Sequence, residues 1–325
     1  MALWPAGSSV RSAAGLCYVR GSIGGMREAP HANLVLTHAA GFCKELWAPV
    51  VSELARALSA GVGQLDWLAI DFSGHGASKD PPNRSTWDRY HPIDVMDVMR
   101  AEGLASGSSP IIGVGHSMGG AVLTNLELRN PGTFRRVVAI EPPLFSRAAT
   151  GACRVLTALG LNYPANAAAK RRRTFANRDI AREHFARRLA ANWDARSLDA
   201  WVEGGLRPSM QGEARPADEV HSPGDAGGAV ELCCEPNVEA RTLSWPGESV
   251  HSLARGYASD CKFTITTCAE SRFSPILVRN SGDPFYRHVI APAFSVGQAS
   301  VVQLGEGTTH PVSYTHLRAH ETDSY

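Results

Sequence analysis

The sequence predicts an α/β fold, a mostly parallel central sheet with helices on both faces. Three observations predict it. Short, continuous apolar runs recur between residues 33 and 143, as strands buried on both faces require. Stretches with apolar residues at helical spacing separate those runs. Glycine-rich loops follow the runs, where a strand would leave its sheet. Such alternation favours parallel strands whose carboxyl ends share one ligand-binding edge.

The elements follow in order. "LCYVRGSIGG" (16–25) reads as a strand or hairpin, and "NLVLTH" (33–38) as a buried strand. In "KELWAPVVSELARALS" (44–59), Leu46, Val50, Leu54 and Leu58 mark a helix. "DWLAIDF" (66–72) is the next strand, followed by the loop "GHGAS" (74–78) and the pair Pro81–Pro82. "PIDVMDVMRAEG" (92–103) reads as a helix. "IIGVG" (111–115) is a strand that runs into the helix "MGGAVLTNLELR" (118–129), which stops at "NPG". "RVVAIEPP" (136–143) is a strand broken by prolines.

Alternation fades between residues 146 and 255. "AKRRRTFANRDIAREHFARRLAANW" (169–193) reads as one basic helix, its Lys170–Arg173 run a solvated face. "DARSLDAWVEGGL" (194–206) is a second helix, with Asp194 or Ser197 as its cap. "PSMQGEARPADEVHSPGDAGGA" (208–229) reads as a mobile loop. Strands return with "SPILVRNSGDP" (274–284) and "ASVVQLGEGTTH" (299–310). There is no internal repeat.

Composition narrows the function classes. A net charge of +1 gives no reason to expect a nucleic-acid partner. No apolar run approaches the ~20 residues of a membrane span. The seven cysteines (17, 43, 153, 233, 234, 261 and 268) are odd in number and lack metal-ligand spacing, so they read as thiols in a reducing compartment. No metal site is expected from them. The N-terminus carries one Arg and no long apolar core, so no secretory signal is read. The expected location is intracellular and cytoplasmic, with organelle targeting left open; the terminal "DSY" is no peroxisomal or ER address. A nucleotide-binding reading fails because no G-x-G-x-x-G or G-x-x-x-x-G-K-[ST] run follows a strand.

The site is read from "GHSMGG" (115–120). Ser117 sits between two glycines where a strand meets a helix. A sharp turn there strains its backbone and exposes its hydroxyl at the sheet edge, as a nucleophile requires. A serine hydroxyl needs a base to take its proton and a carboxylate to orient that base. Asp283, after "PILVRNSG", is the candidate acid, and His310, after "SVVQLGEG", the candidate base. Glu141, ending "RVVAI", is the alternative acid or a pocket wall. His116 adjoins the serine, so its side chain leaves the turn in another direction. The backbone N–H groups of Ala40 and Met118 are the candidate oxyanion donors. His38 is read as orienting the first loop. Asp71, Ser73 and His75 are read as turn-formers. Trp47, Trp193, Trp201 and Trp245 are read as packing residues, one of which lines the pocket.

Taken together, "THAAGF" (37–42), "DFSGHGAS" (71–78), "GHSMGG" (115–120), "SGDPF" (281–285) and "GEGTTH" (305–310) resemble the α/β-hydrolase superfamily. Within it, the segments "WDARSLDAWVEGGL" and "VELCCEPNVEA" are similar to serine esterase/lipase-like hydrolases, including yeast peroxisomal lipase-like proteins. The resemblance implies an α/β-hydrolase fold with a discontinuous core (1–145 and 256–310) and an inserted, mainly helical cap (146–255). It implies a cofactor-free serine hydrolase with a covalent acyl-enzyme, acting on a small-molecule ester or lipid-like substrate. The same triad would serve C–C bond, amide, lactone or thioester hydrolysis, and a truncated, non-catalytic protein on the same scaffold is the rival class. The chain departs from the family at Ala39, where glycine is frequent, and at its end. "PVSYTHLRAHETDSY" (311–325) lacks helical periodicity and is expected to be non-native. The helix that usually follows the catalytic histidine would then be missing, and His316 and His320 are not catalytic candidates. No feature of the sequence sets an oligomeric state or an acyl chain.

Overall fold

The computed structural model describes residues 3–24, 31–58, 64–81, 86–188, 193–209, 228–268 and 299–304. The chain opens with the hairpin β1 (Ser9–Ala13) and β2 (Leu16–Gly24), then β3 (His31–Thr37). A 3-10 turn at Lys44–Trp47 leads into α1 (Ala48–Leu58). β4 (Gln64–Ile70), α2 (Trp87–Ala101), β5 (Ile111–His116), α3 (Met118–Arg129) and β6 (Arg136–Ile140) complete the alternating region. The boundaries fall within a few residues of those the apolar patterns mark. β1 and the first turn of α2 are additions: β1 is polar and exposed along its middle, so no apolar run announces it.

Between β6 and the next strand of the main sheet lie α4 (Arg147–Ala158), α5 (Tyr163–Ala169), β7 (Thr174–Phe175) and α6 (Arg178–Arg188). α7 (Ala195–Gly205), β8 (Leu206–Pro208), β9 (Val230–Leu232), α8 (Pro236–Ser244) and α9 (Val250–Leu253) follow. One reading is corrected here. The single basic helix over 169–193 is broken: α5 ends at Ala169, Lys170–Arg173 is not helical, and β7 intervenes before α6. The basic run is therefore a connector, and two of its members are held by carboxylates, Arg171 by Glu239 (2.7 Å) and Arg173 by Glu231 (3.2 Å). Among its helices the segment also holds a small antiparallel sheet of β7, β9 and β8. The Asp194 cap is as expected, its side chain accepting from the Arg196 N–H. Most of the loop read over 208–229 lies outside the described residues.

Among the described residues the main sheet has eight strands, ordered β1-β2-β4-β3-β5-β6-β10-β11, with β10 (Lys262–Cys268) and β11 (Ala299–Leu304) last. β1 and β2 are antiparallel to their neighbours; β4, β3, β5, β6, β10 and β11 run parallel. The strand beside β6 is thus "KFTITTC", whose threonines hide its strand character from an apolar-run search. The strand read at 274–284 lies outside the described residues, as do the tail 311–325 and the region where a last helix would fall.

Period-two alternation divides the core between the two faces of the sheet. Val35, Leu68 and Ile70 face one way, into a cluster with Val95, Val98, Val122 and Leu126 of α2 and α3. Leu34, Leu36, Trp67 and Ala69 face the other way, against Trp47 and Val51. A third cluster joins the loop after β3, through Phe42 and Leu46, to Phe185 and Trp201 of α6 and α7. The described cysteines 17, 43, 153, 233, 234 and 261 are free and buried or half-buried.

Candidate active site

β5 ends at His116 and α3 begins at Met118, so Ser117 alone turns the chain from strand to helix. Its backbone stands at φ 50° and ψ −119°, a region that costs a non-glycine residue ~1–3 kcal/mol. The surroundings impose it. The Ser117 N–H donates to Ile140 O (2.7 Å), and its carbonyl accepts from Ala121 N–H (3.1 Å). The glycines on either side let the backbones close in. A Cβ at Gly115 would stand 2.5 Å from the Gly119 carbonyl, and one at Gly119 2.5 Å from Thr37 O. Helix α3 therefore starts in contact with the end of β3, which no larger residue permits. The Ser117 side chain is half-buried and makes no hydrogen bond to another described residue.

Ser117 lines a cavity of about 470 Å³ at the carboxyl edge of the sheet. Ala40, His116, Met118 and Glu141 line the same cavity. The structure thus brings together the candidate nucleophile, both candidate oxyanion donors and the alternative acid. Glu141 is strained too, at φ 47°, with its N–H donating to Thr266 O (2.7 Å). Of the three described non-glycine residues at positive φ, Ser117 and Glu141 border this cavity; Ala14 lies in the β1–β2 turn. Met118 opens α3, where first-turn N–H groups lack intrahelical partners and the helix dipole is positive.

The loop carrying Ala40 is fixed from behind by His38. That imidazole is buried; its Nδ1–H donates to Ala39 O (2.7 Å) and its Nε2 accepts from Phe72 N–H (3.1 Å). Both nitrogens are committed to backbone, and burial lowers the pKa to about 3. His38 is therefore a neutral clamp between the ends of β3 and β4. The next turn is anchored by a buried ion cluster. Asp71 accepts from Lys44 N–H and Lys44 Nζ (both 2.7 Å) and from Ala77 N–H (2.9 Å), while Lys44 Nζ also reaches Glu45 (2.6 Å). The flanking carboxylates hold the Lys44 pKa above its usual value. Asp71 does more than form a turn: it fixes the loop that leads from Ala40 into α1. Lys44 was not singled out in the sequence; its signal was the charged pair Lys44–Glu45 inside the apolar surroundings of "GFCKELW".

Away from Ser117 the cavity is apolar. Ala149, Ala152, Cys153 and Leu156 of α4 share one helical face on it, and Trp87 and Trp245 close another side. Trp245 was read as a packing residue that could line the pocket; Trp87 was not singled out. The two are tied together, since Trp87 Nε1–H donates to Trp245 O (2.8 Å) and Trp245 Nε1–H to Asp88 (2.7 Å). Glu141 is the one carboxylate among the described lining residues, and no lysine or arginine lines it.

Asp283 and His310 lie outside the described residues. β11 runs parallel to β10 and ends at Leu304, so the chain leaves the sheet at the Ser117 edge shortly before His310. Among the described residues, no group of three or more His, Cys, Asp or Glu is placed to hold a metal ion. No helix among them is long and apolar enough to cross a membrane.

The sequence model of the alpha/beta hydrolase family matches residues 34–322. The chain belongs to the alpha/beta hydrolase family. Three proteins illustrate what the chain is similar to. The peroxisomal membrane protein LPX1 of Saccharomyces cerevisiae is 31% identical over 135 residues, 39% of this chain and 35% of that protein. The crystal structure of this peroxisomal alpha-beta-hydrolase superimposes with a TM-score of 0.60 at 18% identity, covering 93% of this chain and 80% of that one. A type I acyl-CoA thioesterase of Penicillium roqueforti, mpaH, is 29% identical over 34% of this chain and 26% of the enzyme. A thioesterase domain from the curacin biosynthetic pathway superimposes with a TM-score of 0.62 at 16% identity, covering 96% of each chain. The sequence matches span about a third of the length of these curated relatives or less.

Proposed function

We propose that this hydrolase cleaves carboxylic esters through an acyl-enzyme formed on Ser117. The observation that carries the reading is the strained single-residue turn, which holds the Ser117 side chain in an apolar cavity beside the start of α3. Ser117 Oγ attacks the ester carbonyl. His310 takes the hydroxyl proton and passes it to the leaving alcohol; Asp283 orients the imidazole and offsets its charge. The N–H groups of Ala40 and Met118 stabilise the tetrahedral oxyanion, with His38 positioning the loop that carries one of them. Water then repeats the sequence to release the acid. Residues 146–255 act as the cap that walls the acyl chain.

The test is labelling with a fluorophosphonate probe followed by peptide mapping. The probe should modify Ser117, and Ser117→Ala should abolish labelling and cut ester turnover by at least ~10³-fold. Full turnover by a folded Ser117→Ala chain would sink the reading. The acid is settled by a pair of variants. Asp283→Asn should lose ~10³-fold or more in kcat, and Glu141→Gln much less; the reverse order would move the acid role to Glu141.

A thioester substrate is the second reading, favoured by the similarity to the Penicillium acyl-CoA thioesterases. It uses the same residues, and kcat/KM for matched oxygen esters and thioesters separates the two. An intracellular, cytoplasmic location is our proposal for the compartment. The peroxisomal name of the yeast relative makes cell fractionation against organelle markers its check.

A further inference from the structure

Five of the eight large apolar side chains most exposed among the described residues fall in nine consecutive positions. They are Val155, Leu156, Leu159, Leu161 and Tyr163; Leu159 is 64% exposed, Leu161 62% and Val155 58%. All belong to the end of α4, the turn after it and the start of α5. Of the twelve residues of α4, only Thr150 is buried. A soluble chain rarely exposes a contiguous ridge of this kind without using it.

Two further observations say what the ridge meets. First, it is continuous with the mouth of the cavity. Leu156, Leu161 and Tyr163 are at once exposed and part of the cavity lining, so an apolar path runs from the outer surface toward Ser117. Second, its setting is basic. No Asp or Glu occurs between Glu141 and Asp179, whereas seven Lys and Arg do. Several of these are held by acids of other segments, but Arg147, Arg154 and Lys170 are exposed and make no ion pair among the described residues. Arg154 lies 4.8 Å over the ring of Trp245, itself a cavity wall, and so sets a positive charge beside the mouth. An apolar ridge flanked by exposed cations, with a tyrosine at its edge, is the pattern of a surface that lies in a bilayer interface.

We propose that the α4–α5 ridge docks this hydrolase onto the surface of an anionic lipid bilayer, with the cavity mouth facing the lipid. An acyl chain then enters from the lipid phase along Leu161 and Leu156 without crossing water. The proposal rests on the reading of the Ser117 cavity as the substrate site, but the docking itself needs no hydrolysis.

The experiment is co-sedimentation of the full chain with phosphatidylcholine vesicles, with and without phosphatidylglycerol. Variants are Val155→Ser/Leu159→Ser, at two exposed positions that do not line the cavity, and Ser117→Ala. The chain should sediment with the anionic vesicles and release as NaCl rises from about 0.1 M to about 0.5 M. The serine pair should weaken partitioning about tenfold or more while circular dichroism stays unchanged. Ser117→Ala should bind vesicles as well as the parent chain, which separates docking from catalysis. Absence from the vesicle pellet, equal binding to neutral and anionic vesicles, or equal binding by the serine pair would each overturn the proposal. So would a dimer that the serine pair dissolves, since the ridge would then belong to a second copy of this chain.

Discussion

The floor and the roof of the Ser117 cavity are built in opposite ways. The floor is the β5–α3 turn and the loop after β3, where backbones touch and nearly every side chain is buried. His38, Asp71 and Lys44 hold it with hydrogen bonds and ion pairs. The roof is α4 and the turn to α5, where one helix residue is buried and the rest face solvent or the cavity. Oxyanion and nucleophile geometry tolerates errors of a few tenths of an ångström, so the floor must be over-determined. In the function proposed above the roof only contacts the acyl chain, which needs area rather than angles. Mutations should therefore act on stability and geometry below, and on substrate choice above.

The largest effect is expected at the ion cluster under the floor. Lys44→Met removes the ammonium that Asp71 and Glu45 share and leaves Asp71 buried without it. Breaking a buried pair from one side costs about 3–5 kcal/mol. Urea unfolding should show that loss in the midpoint, with the slope unchanged. A change under ~1 kcal/mol would mean the floor relaxes as freely as the roof. Next comes Gly119→Ala. Its methyl would meet Thr37 O and His38 O at 2.5–2.7 Å, so α3 must shift. The stability cost is about 1–3 kcal/mol. The same shift should suppress fluorophosphonate labelling of Ser117 in chains that remain folded.

The contrast also explains what the sequence made legible. Glycines at 115 and 119, a serine between them and an apolar run before it form one short stretch, and both glycines are demanded by close backbone contacts. The strand–helix alternation of residues 33–143 was readable because both faces of the sheet are covered, which makes the strands continuously apolar. The roof lacked such signals. α4 and α8 were not read as helices, since their inward faces carry small or polar residues, Ala149, Ala152 and Cys153 in α4 and Glu239 in α8, rather than a stripe of large apolar ones. The basic stretch after α5 looked like one long helix because charge pattern alone does not record that Arg171 and Arg173 turn to meet Glu239 and Glu231. β10 was hidden by its threonines, and the Lys44–Asp71 pair because its partners are 27 residues apart.

His38 supplies a pH test of intermediate size. Its folded pKa lies near 3, below the ordinary value of 6.5, because burial disfavours the cation. The unfolded chain therefore binds the proton more readily. This contribution is fully present above pH 6.5 and is lost as pH falls toward about 3, at up to ~1.4 kcal/mol per pH unit. Between pH 7 and pH 5 the chain should lose about 2 kcal/mol from this group. His38→Asn should flatten the slope in denaturant titrations at those pH values. A residual slope is expected from His75, whose pKa burial also lowers. An identical slope in the variant would show that the loop opens to water before His38 protonates, which would make the floor less rigid than its contacts imply.

The smallest stability effect belongs to the roof. Leu156 is 46% exposed and lines the cavity from α4, so Leu156→Trp should change unfolding free energy by no more than ~0.5 kcal/mol. Its effect should appear in substrate choice instead. The indole would occupy the outer part of the cavity, where only a long acyl chain reaches. kcat/KM for long-chain esters should fall about tenfold or more, while acetate and butyrate esters, confined near Ser117, keep theirs. The outcome that breaks the comparison is a uniform loss across chain lengths with an unchanged unfolding midpoint. That result would mean α4 transmits its position to the Ser117 turn, and that the roof shapes the chemistry as well as the choice of chain.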